Sequence, residues 1–419
     1  MDISRRRFLG AAALASAPGF FETSEKSDHP KSARTGEELE RPGGPSLSRR
    51  ERFDPWVEII PGHLRAATAE VRRLSGDRPI LAVVKNNGYG LGVGTVGALL
   101  DGDPGILGFA VVKGEEALLL RSAGVRKPIL LMGLFAPEEG PDLARAGVEF
   151  SVFTPDAAGR LLPLARSVGR PLPIHFYLDT GMGRMGMSYR HAVPWMTELA
   201  RSPEIRIQGT FTELGEDRAF DPEQLQRFLT VVRDARRTGL ETGRLHAAAS
   251  NGVFHLPEGH LDLVRPGIAL FGSYPSDPKS ERRMATLRSA LRFRTRVVRV
   301  SRLEPGDGVG YGRPWIADRP TWVATLPVGH ADGYPREAVN GAEVLIGENL
   351  YPVIGAVSAS HCIAEVGDHL TVRLGDPVTL MGPDRPSLEP NNMAERLGVS
   401  VYDLLMHVNP GLPRILVSD

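Results

Sequence analysis

Lys85 is the residue from which a chemical interpretation of this sequence begins. It follows an apolar, β-branched run at residues 80–84 that predicts a buried strand, and the Asn- and Gly-rich segment after it predicts a turn. Lys85 is therefore expected at the carboxyl end of a strand, where α/β proteins build their sites. A partly desolvated lysine in that position can serve as the amine of a Schiff base. The alternative is an ordinary solvated lysine at a strand end.

Short apolar runs alternate with helical patterns from residue 79 to residue 272, and this alternation predicts the fold class. Strands are predicted at 80–85, 107–112, 128–132, 148–152, 172–179, 205–211, 244–248 and 268–271. Helices are predicted between most of them, as at 114–122, 155–167, 190–201 and 221–237. Eight strands interleaved with helices favour a (β/α)8 barrel. A doubly wound open sheet is the alternative at this level, but no GxGxxG segment follows the first strand.

The pattern changes after about Arg282. Residues 287–380 contain alternating β-branched runs separated by Gly, Pro and Asp turns, which predicts a mostly β domain. A helix is predicted near 391–406 and ends before Asn409, Pro410 and Gly411. We therefore predict a barrel domain at 53–285 followed by a β-rich domain with a terminal helix at 286–419.

The segment AVVKNNGYG, residues 82–90, closely resembles the cofactor lysine segment of the alanine racemase family, which usually reads AVVKANAYGHG. The resemblance covers nearly everything from Phe53 onward, and the family has the same order of barrel and β domain. It implies that Lys85 joins pyridoxal 5'-phosphate as a Schiff base and that Tyr89 bonds the cofactor phosphate. The opening PWVEI, at 55–59, resembles the family's first strand, which joins the C-terminal domain.

Further segments carry the family's remaining cofactor contacts. Arg184, in LDTGMGR, would point its guanidinium at the cofactor's phenolic oxygen and the substrate carboxylate. Arg265, in LVRPGIALFG, would donate to the pyridine nitrogen and keep it unprotonated. The other implied contacts all bind the phosphate, and they are the Ser250 hydroxyl in HAAASNG, the backbone N–H groups of Gly267 and Ile268, and Tyr402 in VYDLL.

Racemisation needs two bases, because a proton leaves one face of the substrate and another returns to the opposite face. Lys85 is the first. Tyr311, in GYGR, resembles the family's catalytic tyrosine, which reaches the site from the partner subunit. The resemblance therefore implies a homodimer with shared active sites, since a monomer would hold only one base at each cofactor.

Several positions depart from the family pattern, mainly in the shell around the substrate. Glu213 replaces a histidine that orients the tyrosine base, and its carboxylate is expected either to pair with Arg265 or to raise the pKa of the tyrosine. Ala359 and Ser360 replace a Met-Asp pair that lines the substrate entrance, which predicts room for a side chain larger than methyl. The two other departures replace a tyrosine and a modified lysine, and they are His330 and Tyr177.

These residues favour a pyridoxal-phosphate-dependent racemase that interconverts L- and D-amino acids, with alanine or a larger amino acid as substrate. Two alternatives remain open. A decarboxylase of barrel type shares the architecture but places an acid at the ring nitrogen, so Arg265 argues against it. A cofactor-binding or amino-acid-binding protein with weak or lost activity would suit the altered shell.

The N-terminal segment predicts export. Residues 1–17 combine positive charge with an apolar run, and SRRRFL at residues 4–9 matches the twin-arginine pattern S-R-R-x-F-L. Residues 18–52 are polar and rich in Pro and Gly, which predicts a disordered tether. We therefore expect a periplasmic or otherwise exported protein, with no membrane attachment once the signal is removed.

Charge and cysteine content exclude several other classes. Lys plus Arg and Asp plus Glu both number 50, so the chain has no global basic field for nucleic acid. Cys362 is the only cysteine, which rules out an intramolecular disulfide and a cysteine metal cage, and no metal site is predicted. The expected partners are a second copy of the chain and a small amino-acid substrate.

Overall fold

The computed structural model describes residues 54–418. The predicted signal at 1–17 and the predicted tether at 18–52 lie outside the described residues. Within residues 54–418, no helix is both long enough and apolar enough to cross a membrane.

Parallel strands form the N-terminal barrel, which the chain enters after strand β1 (Trp56–Ile59) and helix α1 (Pro61–Leu74). Its strands pair with one another in chain order, so that β6 pairs with β5 and β8. The two-residue β7 lies outside this order and pairs only with the last two residues of β6. They are β2 (Ile80–Val83), β3 (Ile106–Val111), β4 (Ile129–Leu131), β5 (Val148–Val152), β6 (Leu172–Asp179), β7 (Met187–Ser188), β8 (Ile205–Thr212) and β9 (Arg244–His246).

The barrel closes through an extended segment at residues 262–266, which lies between β9 and β2. On one side Asp262 N–H donates to Leu245 O at 3.0 Å, and on the other Leu81 N–H donates to Val264 O at 2.9 Å. The predicted (β/α)8 fold is confirmed, but the predicted eighth strand at 268–271 is wrong, because Ile268–Phe271 forms a 3-10 helix. Pro266 lacks an N–H and Gly267 turns the chain, so the strand cannot continue into that apolar run.

Helices connect the barrel strands. The predicted helices at 114–122 and 221–237 have those bounds in the structure. The helices of this half of the chain are α3 (Val93–Leu100), α4 (Gly114–Ser122), α5 (Gly140–Arg145), α6 (Ala157–Val168), α7 (Ala192–Leu199), α8 (Asp221–Arg237), α9 (Ser250–His255) and α10 (Pro278–Glu281), while α2 (Lys85–Tyr89) is a single turn with left-handed residues in its interior.

A nine-stranded, mostly antiparallel sheet dominates the C-terminal half, as the alternating pattern predicts. Its order is β11-β14-β17-β16-β15-β18-β10-β1-β19, and β12 and β13 form a separate hairpin. The strands are β10 (Leu291–Arg296), β11 (Arg299–Leu303), β12 (Gly308–Val309), β13 (Trp315–Ile316), β14 (Thr321–Leu326), β15 (Glu343–Ile346), β16 (Asn349–Ile354), β17 (Cys362–Gly367), β18 (Pro377–Met381) and β19 (Arg414–Leu416).

Strand β1 belongs to this C-terminal sheet although it comes before the barrel in the sequence. It pairs antiparallel with β10, with Trp56 opposite Arg294, and parallel with β19, with Val57 opposite Arg414. The first and last strands of the described chain are therefore neighbours.

The helix predicted near 391–406 is two helices, α11 (Pro390–Leu397) and α12 (Val401–Met406). Gly398 ends α11 with a left-handed φ of 69°, and the Ser400 side chain then accepts from Tyr402 N–H to cap α12. The break places Tyr402 in the first turn of α12.

Candidate active site

A cavity of about 570 Å³ is lined by residues that follow the carboxyl ends of the barrel strands. Most of the predicted site residues line it together, although their chemical roles stay predictions. Those in the cavity wall are Lys85, Tyr89, Arg184, Ser250, Arg265, Gly267 and Tyr402. Ile268 is fully buried in the 3-10 helix next to Gly267.

Lys85 enters the cavity from a left-handed turn. Strand β2 ends at Val83, and Asn86, Asn87 and Gly88 then have φ values of 53°, 57° and 60°. Asn and Gly tolerate this conformation better than other residues, which explains why the segment uses them. Among the described residues, the Lys85 amine, which lines the cavity, has no hydrogen-bond or ion-pair partner.

Polar groups suited to a phosphate converge beside Lys85. The Ser250 hydroxyl accepts from the N–H groups of Gly267 and Ala269, at 2.9 and 3.3 Å. A Cβ at Gly267 would lie 2.1 Å from the Tyr89 hydroxyl oxygen, so only glycine allows this approach. The Tyr402 ring lies 6.4 Å from the Tyr89 ring, measured between centroids.

Both tyrosines of this cluster are neutral donors. Burial raises the pKa of Tyr89 well above its usual value, and Tyr402 and Glu213 act in the same direction. Burial likewise raises the pKa of Tyr402, with Glu216 as the next cause. Two phenolic O–H groups therefore offer donors to an anion, while the N–H groups of Gly267 and Ala269 donate to Ser250.

Arg265 is 1% exposed, and protein atoms hold most of its guanidinium. Its Nη1 donates to His246 Nδ1 at 2.9 Å, while Nη2 donates to Thr212 O at 2.7 Å. The Phe211 ring lies 5.0 Å from the guanidinium carbon. The Nε–H has no acceptor among the described residues, so this donor remains for a ring nitrogen bound in the cavity. The residues present thus fit pyridoxal phosphate.

Glu213 pairs with Arg265, which is one of the two outcomes predicted for this substitution. Its Oε2 accepts from Arg265 Nη2 at 3.1 Å. The other hydrogen-bond partners of Arg265 are the neutral His246 ring and backbone carbonyls. The Glu213 carboxylate therefore compensates the positive charge of this buried arginine.

Tyr177 lies beside Arg184 at the position of the family's modified lysine. The Tyr177 side chain is buried, which raises the pKa of its hydroxyl, and Glu213 adds to this rise while Arg184 opposes it. Tyr177 is therefore a neutral neighbour that can accept a hydrogen bond from the arginine.

Three predicted substrate or catalytic residues lie outside the cavity of the single chain. Tyr311 is 89% exposed on the turn between β12 and β13, flanked by Gly310 and Gly312 with φ values of 83° and 76°. Ala359 and Ser360 are also exposed, in the loop before β17.

The cavity also contains a carboxylate that the sequence patterns do not predict. Glu216 lines the wall, and its φ of 62° is unusual for a residue with a side chain. The one sequence feature that could have predicted Glu216 as a site residue is its position three residues after Glu213. No group of three or more His, Cys, Asp or Glu side chains within residues 54–418 has the arrangement of a metal site.

Comparison with known proteins matches both halves of the chain to domains of one family. Residues 59–275 match the family model "Alanine racemase, N-terminal domain", and residues 290–416 match "Alanine racemase, C-terminal domain". The curated relatives include alanine racemase 1 of Clostridium acetobutylicum, 32% identical over 371 residues, covering 87% of this chain and 95% of that protein.

Further matches agree. The alanine racemase of Symbiobacterium thermophilum is 34% identical over 367 residues, covering 86% of this chain and 96% of that protein. Among solved structures, alanine racemase of Clostridium difficile 630 superposes with a TM-score of 0.81 at 26% identity, over 87% of this chain and 96% of that chain. The fold, the cavity and these matches together show that the chain belongs to the alanine racemase family.

Proposed function

We propose that this protein is a pyridoxal-phosphate-dependent racemase that interconverts L- and D-alanine. The observation that carries this function is the meeting, in one cavity, of an unpaired Lys85 amine, an Arg265 with a spare donor and a cluster of phosphate donors. The curated relatives of about 32% identity are alanine racemases over nearly their whole length. The exposed Ala359 and Ser360 leave room for larger amino acids as additional substrates.

The residues of the chain divide the work between binding and proton transfer. When bound, pyridoxal phosphate supplies the electron-withdrawing ring that makes the substrate α-proton removable. Lys85 holds the cofactor and moves the proton on one face. Arg184 orients the substrate carboxylate, while Arg265 donates to the ring nitrogen and keeps it unprotonated.

We further propose that the second base, Tyr311, comes from a partner subunit in a homodimer. In the single chain this side chain is almost fully exposed and lines no part of the cavity that contains Lys85. A base on the opposite face of the substrate must therefore be supplied by another copy of the chain.

The activity is tested by α-proton exchange. The purified protein, loaded with cofactor, is given single L-amino acids in deuterated buffer, and NMR and chiral chromatography follow the α-proton and the D-isomer. We expect exchange with loss of chirality for L-alanine. Carbon dioxide release would instead indicate a decarboxylase, and no exchange in a preparation with normal cofactor absorbance would indicate a binding protein.

Replacing Tyr311 by Phe should lower racemisation by about 10²- to 10⁴-fold, because a general base is lost. The cofactor absorbance should stay unchanged, since Tyr311 does not hold the cofactor. Tyr351→Phe is the matched control, because its hydroxyl binds Thr371 in the C-terminal sheet, away from the cavity. Full activity in Tyr311→Phe would disprove the two-base assignment.

We also propose that the protein is exported through a twin-arginine signal, on the basis of SRRRFL at residues 4–9. Cell fractionation is expected to recover the protein from the periplasm. Replacing both Arg5 and Arg6 by Lys should retain it in the cytoplasm with unchanged activity. Equal export of both forms would exclude this route.

A further inference from the structure

A chain of polar side chains leads from Arg265 across the interior of the barrel. Arg265 Nη1 lies 2.9 Å from His246 Nδ1, and His246 Nε2 lies 3.0 Å from His175 Nδ1. His175 Nε2 then lies 2.8 Å from Glu149 Oε2. Both imidazoles are buried, and the Glu149 side chain is 16% exposed at the far end.

The partners fix the direction of every hydrogen bond in this chain. Arginine has donors only, so His246 Nδ1 accepts from Arg265 as long as the guanidinium stays in this position. Burial and the charge of Arg265 hold the pKa of His246 well below its usual range, so the ring is neutral and its one proton is on Nε2. That N–H donates to His175 Nδ1, which leaves the His175 Nε2–H to donate to the Glu149 carboxylate.

The surrounding residues hold the two rings in place. His246 stacks on Phe211, with centroids 5.0 Å apart and an interplanar angle of 8°. Gly209 lies beside His175, and a Cβ there would come within 2.5 Å of His175 Nδ1. Because packing fixes both ring positions, the site of the proton on each ring is the property that can change when one of the end partners, Arg265 or Glu149, is removed.

We propose that Glu149 is a positioning residue for Arg265, acting through the tautomers of His175 and His246. An acceptor at residue 149 keeps the proton of each ring on Nε2, so that His246 offers a lone pair to the guanidinium. Without it, His175 can carry its proton on Nδ1, which forces the His246 proton onto Nδ1 as well. Two donors would then face each other in a buried site, and the guanidinium would turn away.

Arg121 is a further charged group near Glu149. Burial lowers the pKa of Arg121, and the carboxylates of Asp101 and Glu149 oppose this effect. The Arg121 guanidinium donates to the carbonyls of Val125 and Lys127, at 2.8 Å each. Its hydrogen bonds thus go to backbone carbonyls, and the Glu149 carboxylate keeps its hydrogen bond to His175.

The proposal rests on the proposed function only in placing Arg265 at the cofactor ring, so its first test is independent of activity. The full-length dimer, loaded with cofactor, is labelled with ¹⁵N-histidine, and imidazole ¹⁵N shifts are assigned with single His→Gln variants. We expect wild-type protein and Glu149→Gln to carry the proton on Nε2 of both rings, because glutamine still offers an oxygen acceptor. An Nδ1 proton or an imidazolium on either ring of the wild-type protein would overturn the proposal without any variant.

Glu149→Leu removes the acceptor at similar volume. We expect its His175 and His246 protons to move to Nδ1, the pH dependence of the cofactor absorbance to shift, and kcat to fall about tenfold with little change in KM, while Glu149→Gln keeps all three near wild type. Unchanged tautomers in Glu149→Leu, or altered tautomers with unchanged absorbance and kcat, would overturn the proposal. If the wild-type protein has no racemase activity but Glu149→Leu still shows the tautomer shift, the proposed function is refuted and the role of Glu149 is not. The effect of Glu149→Leu on the pH dependence of the cofactor absorbance then decides whether Glu149 positions Arg265.

Discussion

Gly267 has no room for a side chain, because the Tyr89 hydroxyl occupies the place where a Cβ would lie. A larger residue at this position should therefore disturb the polar groups suited to a phosphate. In Gly267→Ala the added Cβ would lie 2.1 Å from that hydroxyl, so Tyr89 must move. We expect cofactor binding to weaken by about 10- to 100-fold, the equivalent of roughly 1–3 kcal/mol of displaced packing. Equilibrium titration of the cofactor-free protein with pyridoxal phosphate, followed by absorbance, measures this change.

Gly159→Ala is the matched control for that substitution. Gly159 lies within α6, and a Cβ added there would have no other atom within 4 Å. We expect this variant to bind the cofactor normally and to gain about 0.5–1 kcal/mol of stability, since alanine is the better helix former. Equal cofactor affinity in both variants would show that Gly267 is not part of the binding site.

How well single residues can be predicted depends on whether a contiguous motif contains them. Lys85, Tyr89 and Arg265 are predictable because their neighbours form recognisable segments, and they meet in one cavity. Glu149 and His175 have no such neighbours, and each is an ordinary residue inside a strand. Their hydrogen bond appears only when parallel strands β5 and β6 are placed side by side.

At the scale of elements, the left-handed turn at Lys85–Tyr89 determines where the reactive amine lies. We expect Asn87→Val to destabilise the protein by about 1–2 kcal/mol, because a β-branched residue is strained at its φ of 57°. Asn87→Gly is the control, since both variants lose the Asn87 Oδ1 acceptor of Val93 N–H but glycine adopts this φ without strain. Urea unfolding at fixed protein concentration measures both, and equal losses would show that backbone strain is not the cause.

The start of helix α11 contains a carboxyl group that makes stability depend on pH. Burial raises the pKa of Glu389 to about 7, although Ser289 N–H donates to it at 3.3 Å. Its ordinary value is 4.5, so between these two pH values the folded state keeps a proton that the unfolded state loses. The free energy of unfolding should therefore fall as pH rises, by about 1–3 kcal/mol from this group.

Glu389→Gln should remove this loss, so that the variant gains stability relative to the wild type as pH rises from about 4.5 to about 7. Denaturant titrations at several pH values measure the difference. Glu395→Gln, in the same helix but with a side chain 62% exposed, should follow the wild-type curve. A constant difference between Glu389→Gln and wild type at all pH values would contradict the raised pKa.

Element boundaries show where sequence patterns are insufficient. The sequence predicts α4 and α8 with their observed bounds, because α8 has amphipathic spacing over several turns and both helices have acidic residues in the first turn and arginine in the last. The apolar run at 268–271 is too short and too uniformly apolar to show whether it forms a strand or a 3-10 helix, and the strand predicted there is wrong. Tertiary pairing decides such a case, since the edge of β2 bonds to residues 264–266 instead.

At the scale of the whole molecule, a shared active site predicts complementation between inactive variants. Lys85→Ala and Tyr311→Phe should each be inactive alone. Because one site of a mixed dimer combines the intact Lys85 of one chain with the intact Tyr311 of the other, the isolated mixed dimer should have about half of wild-type activity and an unseparated random mixture about a quarter. Activity is measured after co-expression with two affinity tags, and tandem purification isolates the mixed dimer. An inactive mixed dimer would place both bases in the same chain.

Strand β1 imposes an order on the synthesis of this protein. Its neighbours in the sheet are residues 291–294 and 414–416, so one of its edges stays open until residues 414–416 have been made. At roughly 5 to 20 residues per second, the ribosome delivers β19 roughly 20 to 70 s after β1. A nascent chain, or one that ends before Arg414, therefore exposes a strand edge that can pair with other chains, and the arrival of β19 is the event that closes it.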